Sequence, residues 1–450
     1  MSGNAPTTSS SQGAQPDIGE LEAAAAAAPL DPTRHSALAL AYEAAGDHLK
    51  AATSRVAVQA LTDGNAMILY NVATAYMNHA QLVQAERWFR VTLALDPELA
   101  VAHQNLASVL LRRGRGDEAA EHLKIAYSRQ AVFLEPGAEQ SPRVLLFCAG
   151  SIGNIPIKHL MADGRYTQIR YFVEYAREEE LAVLPEHDVV FNIIGDPDVV
   201  ASDHPTLDVL LARTPKTVLN APAHVKRTRR DRLPGLLAGI EGAVTPAARR
   251  LDAATTGVSY ADAIERDGPP YPVIVRPPAT HGGQGVLLAH SREELESHAL
   301  AAAPSVYATA FHDYRSADGY FRKYRVIFVD REPFPYHLAI SEHWLVHYFS
   351  ADMLKTPWKL EEERRFLEQP QEALGPRAYA ALRAIGQRLE LDYAGIDFSI
   401  LPDGDLLVFE ANATMLVHPE PATSALAHKN PHVKAIIEAL AAMIERRRST

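Results

Sequence analysis

The sequence predicts a chain of class α plus α/β: an N-terminal helical-repeat array, then a parallel α/β unit, then a larger α+β domain. Three observations predict it. Residues 32 to 133 match themselves at a shift of 34. Short apolar runs ending in small or polar residues alternate with helical segments from Pro142 to Asn220. A hairpin pattern bearing two carboxylates lies between Tyr393 and Asn412. A chain of 450 residues is long enough for two or three separate cores.

The repeat comes first in the chain. At the 34-residue shift Ala39, Ala73 and Ala107 align, as do Ala51, Ala85 and Ala119. Tyr42 aligns with Tyr76, Leu38 with Val72 and Leu106, and Gly46 with Gly114. Small residues at fixed points let two helices cross closely, and large apolar residues fill the groove between them. This resembles the tetratricopeptide repeat in about three copies. Residues 1–18, rich in Ser, Gly and Pro, are expected to be a disordered tail, with the repeats spanning 19–135. A stack of helix pairs has a concave face. Asn71 and Asn105 share one repeat position on it, suited to a peptide or protein partner, to self-association, or to packing on the rest of the chain.

From Pro142 the pattern changes. Val144–Ala149, Gln168–Tyr175, His187–Ile194 and Thr217–Asn220 read as strands, with a helix at Leu207–Ala212. Short buried strands alternating with helices predict a parallel sheet, so residues 142–222 are expected to form a Rossmann-like subdomain. Gly150-Ser-Ile-Gly153-Asn154 follows the first strand and is expected to open a helix able to hold an anion. Asp196 and Asp198 sit at the carboxyl end of the third strand, where such sheets contact ligands.

The chemistry is concentrated between Asp231 and Asn412. Tyr271-Pro-Val-Ile-Val-Arg276 is a strand ending in a cation, and it leads into the glycine-rich loop Thr280-His-Gly-Gly-Gln-Gly-Val286. Glycines there admit phosphate oxygens to backbone N–H groups. Phe321-Arg-Lys323-Tyr-Arg325 begins a strand carrying cations. Tyr393-Ala-Gly-Ile-Asp397-Phe turns through Pro402-Asp-Gly404-Asp into Leu406-Leu-Val-Phe-Glu410-Ala-Asn412. On facing strands Asp397 and Glu410 come together, with Asn412 on the same side two residues on. Two carboxylates and an amide oxygen suit Mg²⁺ on nucleotide phosphates.

The order of these pieces resembles the ATP-grasp superfamily over residues 142–440, in the branch of glutathione synthetases and ribosomal-protein glutamate ligases. The resemblance implies a Rossmann-like pre-ATP-grasp subdomain and an α+β ATP-grasp domain over 223–445. It implies ATP and Mg²⁺ as cofactors, with Asp397, Glu410 and Asn412 as metal ligands. It also implies that Arg232 and Arg276 contact phosphate in place of the family's lysines and that Arg325 approaches the transferred group. The loop His281, Gly282, Gly283, Gln284 and Gly285 would cover the γ-phosphate, and Ala310 and Phe311 would hold adenine. The implied activity is an ADP-forming carboxylate–amine ligase acting through an acyl-phosphate on a peptide, amino acid or small carboxylate. Arginine at both lysine positions changes a point charge to a planar fork. The stretch Asn412-Ala-Thr-Met-Leu-Val-His-Pro419 departs from the family's usual sequence after the glutamate. The alternatives are a repeat scaffold with a non-catalytic nucleotide domain, and an ATP-grasp kinase.

Ser341-Glu342-His343-Trp344 and His347-Tyr348 are candidates for the substrate pocket, with His343 or His418 able to take a proton from an amine. Lys355 and Trp358 are expected on a loop over this region, and Glu361–Glu368 as the solvated face of a helix. Composition excludes other classes. One cysteine, Cys148, permits no disulfide framework and no cysteine zinc site. No run of eighteen apolar residues and no secretory leader occur, so a cytoplasmic protein is expected. A net charge of -11 argues against nucleic acid despite the cations at Lys226–Arg232.

Overall fold

The computed structural model describes residues 17–150, 153–162, 164–176, 184–198, 205–278 and 285–448. The chain divides into two compact units, Met1–Ala131 and Val132–Thr450.

The first unit is helical. Its helices are α1 (Ile18–Ala27), α2 (Pro32–Ala44), α3 (His48–Thr62), α4 (Ala66–Asn78), α5 (Leu82–Leu95), α6 (Ala100–Arg112) and α7 (Gly116–Arg129). The starts of α2, α4 and α6, and of α3, α5 and α7, recur every 34 residues. Caps set several of these starts. Asp31 accepts from Thr33 N, with Pro32 in the first turn. Asp47 accepts from Lys50 N, and Asn65 from Met67 N and Ile68 N. Each cap takes up N–H groups that no intrahelical carbonyl can reach. The six recurring alanines are buried. Their methyl groups let helices approach, while Leu69, Trp88, Phe89 and Leu106 fill the space between them. The turn inside each pair passes through left-handed backbone, at Gly46 (φ 77°), Ala80 (φ 57°) and Gly114 (φ 76°). Ala80 carries a Cβ where glycine would relieve about 1 kcal/mol.

The second unit contains three sheets. β1 (Val132–Glu135), β2 (Arg143–Cys148), β3 (Thr167–Phe172), β4 (Val189–Asn192) and β5 (Val218–Leu219) lie in the order β1-β3-β2-β4-β5. β1 is antiparallel to β3, and the other neighbours are parallel. Among the described residues no helix opens at Gly153–Asn154, where one is expected from Gly150 on. The described residues 153–162 form turns and a bridge from Asn154 to Ile194. Asn154 accepts from Ala149 N and donates to Ala149 O, both at 2.8 Å. Pro156 also pushes Ile155 away from helical backbone. Ser151 and Ile152 lie outside the described residues.

β6 (Ala243–Val244) belongs to the third sheet. β7 (Ala248–Asp252), β8 (Val273–Arg276), β9 (Leu287–Ala289) and β10 (Ser305–Ala310) form the second, antiparallel in the order β7-β10-β8-β9. β11 (Phe321–Val329), β12 (Glu332–Ser341), β13 (Tyr393–Ile400) and β14 (Leu406–Asn412) complete the third, ordered β12-β11-β13-β14-β6. Alternation along β11 and β13 splits this sheet into two faces. Tyr324, Phe328, Ile396 and Phe398 pack in one core with Phe366, Leu382 and Ile385, from helices Pro357–Glu368 and Pro376–Leu389. Contact is so close at Gly386 that a Cβ would lie 2.3 Å from the Arg331 carbonyl oxygen. Lys323, Arg325 and Asp397 line the cleft described next.

Candidate functional site

Between the second and third sheets lies a cleft of about 440 Å³. One part of its wall is apolar: Ile274, Val286, Ala310, Phe311, Leu407 and Phe409. Phe311 meets the Trp344 ring edge-on at 5.7 Å, and Phe409 packs on Tyr314 at 4.8 Å. The other part is charged, with Arg230, Arg276, Lys323 and Arg325 around Asp397 and Glu410. Four cations face two carboxylates, which leaves a positive excess suited to a polyanion.

The sheet register builds the charged end. Asp397 pairs with both Arg325 and Glu410 across the sheet, and Gly395 with Asn412. A bulge follows Asp397, because Phe398 pairs with Val408 and skips Phe409. This extra residue lets Leu407 and Phe409, then Glu410 and Asn412, all reach the cleft despite their alternating parity. Arg325 grips Asp397 through two bonds, Nε to Oδ1 at 2.6 Å and Nη2 to Oδ2 at 2.8 Å. Lys323 Nζ adds a contact at 3.2 Å. Arg230 donates to Glu410. Asn412 Oδ1 accepts from Thr414 N at 2.9 Å and Thr414 Oγ1 at 3.1 Å.

These contacts set the charge states. Burial by itself would raise the Asp397 carboxyl, but Arg325 and Lys323 outweigh it and hold Asp397 well below the usual carboxylate range. Glu410 is likewise lowered: burial opposes ionisation, and Arg230 overcomes it. Burial, reinforced by Arg230, brings Arg276 down to about 10, so it stays cationic at neutral pH. Burial and the charge of Lys323 lower His347, which keeps that imidazole neutral. Two ionised carboxylates and an amide form an all-oxygen donor set that fits a hard dication. Among the described residues no group of three or more His, Cys, Asp or Glu side chains has metal-holding geometry. A dication here would therefore rest on the two carboxylates and Asn412.

Several sequence expectations fall in the cleft: Arg276, Ala310, Phe311, Arg325, Asp397, Glu410 and Asn412 line it. Others do not. Arg232 is exposed and absent from the lining, whereas Arg230 reaches Glu410. The chain turns tightly here, with Arg232 N bonded to Arg229 O at 2.8 Å, so the two arginines diverge. His343 is exposed, while Trp344 and His347 face the cleft. His418 lies outside the lining, half-buried, its ring 6.3 Å from that of His159. Gly285 is left-handed (φ 66°), while His281, Gly282, Gly283 and Gln284 lie outside the described residues. Lys355 pairs with Asp352, and Trp358 packs on Tyr320 at 5.2 Å; neither lines the cleft.

Glu363 corrects the expectation of a solvated helix face. It is fully buried and accepts from Leu338 N at 3.2 Å and Tyr348 Oη at 3.0 Å, with His428 Nε2 at 2.9 Å. Asp198 accepts from Tyr307 Oη at 2.5 Å and Arg250 at 3.0 Å, so it ties elements together. In the arginine cluster, Arg227 pairs with Glu390, Arg229 with Asp231 and Arg230 with Glu410. Lys323 and Arg230 were missed as site residues. Lys323 stands two residues from Arg325 on one strand, a spacing that puts both on one face. In the helical unit Asn71 is exposed, whereas Asn105 donates to Tyr70 Oη at 3.0 Å. No helix among the described residues is long and apolar enough to cross a membrane.

The site is thus an apolar slot joined to a cationic nest between an antiparallel sheet and a mixed one, in which β14 and β6 run parallel. Several solved structures are similar to this chain at low identity. D-alanine–D-alanine ligase from Bacillus anthracis, complexed with ATP, is 13% identical with a TM-score of 0.41, covering 69% of this chain and 99% of that one. The RimK domain protein ATP-grasp from Sphaerobacter thermophilus is 16% identical with a TM-score of 0.37, covering 66% and 98%. N5-carboxyaminoimidazole synthetase from Staphylococcus aureus, complexed with ADP, is 14% identical with a TM-score of 0.40, covering 68% and 79%. No protein-family model matches the chain, and no curated protein does.

Proposed function

We propose that this chain is an ADP-forming carboxylate–amine ligase of the ATP-grasp type. The observation that carries the reading is the cleft itself: an apolar slot continuous with four cations gathered around two carboxylates, Asp397 buried and Glu410 half-buried. Adenine lies in the slot against Phe311 and Phe409, and the triphosphate runs to the cations. A substrate carboxylate oxygen attacks the γ-phosphorus, the bond to the β,γ-bridging oxygen breaks, and ADP leaves. An amine nitrogen then attacks the acyl carbon of the acyl-phosphate, loses a proton and expels phosphate. Arg276, Lys323 and Arg325 neutralise charge on the transferring group, and the walls exclude water that would hydrolyse the intermediate. Asp397, Glu410 and Asn412 would hold Mg²⁺, which screens phosphate charge when bound. His347, neutral and facing the cleft, is better placed than His343 or His418 to take the amine proton.

In this reading the helical unit is a tetratricopeptide-like array that presents a peptide-bearing substrate or partner beside exposed Asn71. The recurring buried alanines and the 34-residue helix interval support it. A second reading, a nucleotide-binding scaffold without turnover, is favoured by the cations that already engage both carboxylates. One experiment separates them. The protein is incubated with Mg-ATP, a panel of amino acids and peptides, and hydroxylamine. A ligase gives acyl-hydroxamate and ADP in equal amounts, lost in Asp397→Asn. ADP without hydroxamate, or neither product with any carboxylate, overturns the ligase reading.

A further inference from the structure

The helical unit contains a second recess, of about 570 Å³, in which α1 forms one wall and α3, α4 and α5 contribute to the others. It lies far in sequence from the cleft, and nothing in the ligase reading uses it. Its lining is polar for a helical core, with Tyr42, Thr53, Tyr76, Arg87 and Lys50 all facing in. Arg87 is the central group. Its guanidinium lies over the Trp88 ring, 5.6 Å from the centroid. Its Nη2 is buried and makes no hydrogen bond, and Nη1 is 3.7 Å from the nearest carboxylate, Glu22. That is too long for the bidentate grip a guanidinium gives a well-seated carboxylate. Three hydroxyls share the lining: Thr53 donates to the Leu49 carbonyl at 2.8 Å and bonds Tyr76 at 2.9 Å, and Tyr42 donates to Glu22. Burial and Glu22 push Tyr42 up to about 12 against the opposing pull of nearby Arg87, so it remains a donor.

Glu22 comes from α1, whose hold on the unit is thin. Ala25 is its one fully buried residue, and Arg34 bonds the Ala24 carbonyl at 2.9 Å. A guanidinium nitrogen buried without an acceptor, on a side chain otherwise 26% exposed, is costly unless something completes it. A recess of this size is in the range of small-molecule sites.

We propose that the recess under α1 is a binding site for a small carboxylate, with Arg87 as its anchor and Glu22 as a built-in competitor. The ligand carboxylate takes both Arg87 nitrogens, its other end meets the Tyr42, Thr53 and Tyr76 hydroxyls, and Trp88 and Val83 cover its apolar body. The proposal is independent of the ligase reading.

Trp88 reports the site directly. The full-length chain with Trp344→Phe and Trp358→Phe leaves it the sole tryptophan. Titration with glutarate should change its emission saturably, while glutaramide, which lacks the charge, should not. Arg87→Gln should weaken glutarate at least about tenfold, Arg87→Lys should retain part of the binding, and Glu22→Gln should tighten it about threefold or more. Inorganic phosphate distinguishes the anion: a site for carboxylates prefers glutarate. If Arg87→Gln does not fold, the Arg87→Lys and Glu22→Gln comparison decides. The proposal is overturned if neither the parent nor the Glu22→Gln chain responds saturably, if glutaramide or phosphate binds as well as glutarate, or if neither substitution at Arg87 changes the affinity.

Discussion

Glu86 and Asp397 are both carboxylates that collect cations, one in each unit, and their surroundings differ. Glu86 receives Arg90 at 2.9 Å and Arg115 at 2.7 Å, and also pairs with Arg113; the arginine side chains keep 42%, 43% and 32% of their exposure. Asp397 receives Arg325 at 2.6 Å and Lys323 at 3.2 Å, whose side chains keep 19% and 17%. Around Glu86, water screens the surplus positive charge, so the cluster acts as a clasp between helices. Around Asp397 the surplus is held in a concave, partly apolar site, where it attracts an anion strongly. In the proposed reading the same residue types therefore serve stability in one place and binding in the other.

Substitutions can break that contrast. Asp397→Asn should lower ADP-forming turnover by about 10²- to 10³-fold while the chain stays folded, and Glu86→Gln should leave turnover within about twofold of the parent. Steady-state kinetics with circular dichroism checks both. Next in size is the arginine pair. Arg230→Gln should raise KM for ATP about tenfold, and Arg232→Gln should change it less than about twofold. Equal effects would return Arg232 to the site. Glu86→Gln should cost about 1–3 kcal/mol of stability, read by chemical denaturation, because three arginines lose a shared partner and only Arg90 and Arg115 keep Glu118.

Acid sharpens the comparison further. The folded-state value of Asp397 is depressed, so its contribution is present above the unfolded carboxyl value, about 3.9, and is lost as pH falls below it. The parent should therefore lose stability more steeply than Asp397→Asn below about pH 4. Smallest is Ala80→Gly, which should stabilise the helical unit by about 0.5–1 kcal/mol, since φ 57° suits glycine.

Much of the fold was legible because its signals are local and periodic. Alanines at a fixed interval mark helix crossings, and alternation with a Pro-Asp-Gly turn marks the hairpin that carries Asp397 and Glu410. What escaped depends on contacts distant in sequence. Glu363 looks like any glutamate in an acidic helix, and only the fold brings Leu338, Tyr348 and His428 around it. The choice of Arg230 over Arg232 turns on a tight turn within one arginine-rich run. The bulge that turns Phe409 and Glu410 together into the cleft has no glycine or proline to announce it.

Isothermal titration of the purified full-length chain with ATP, with and without Mg²⁺, tests the nucleotide cleft most directly. Saturable one-site binding that strengthens with Mg²⁺, and is lost in Asp397→Asn together with Glu410→Gln, is the predicted result. No heat with either form of ATP, or binding indifferent to those two carboxylates, would contradict it.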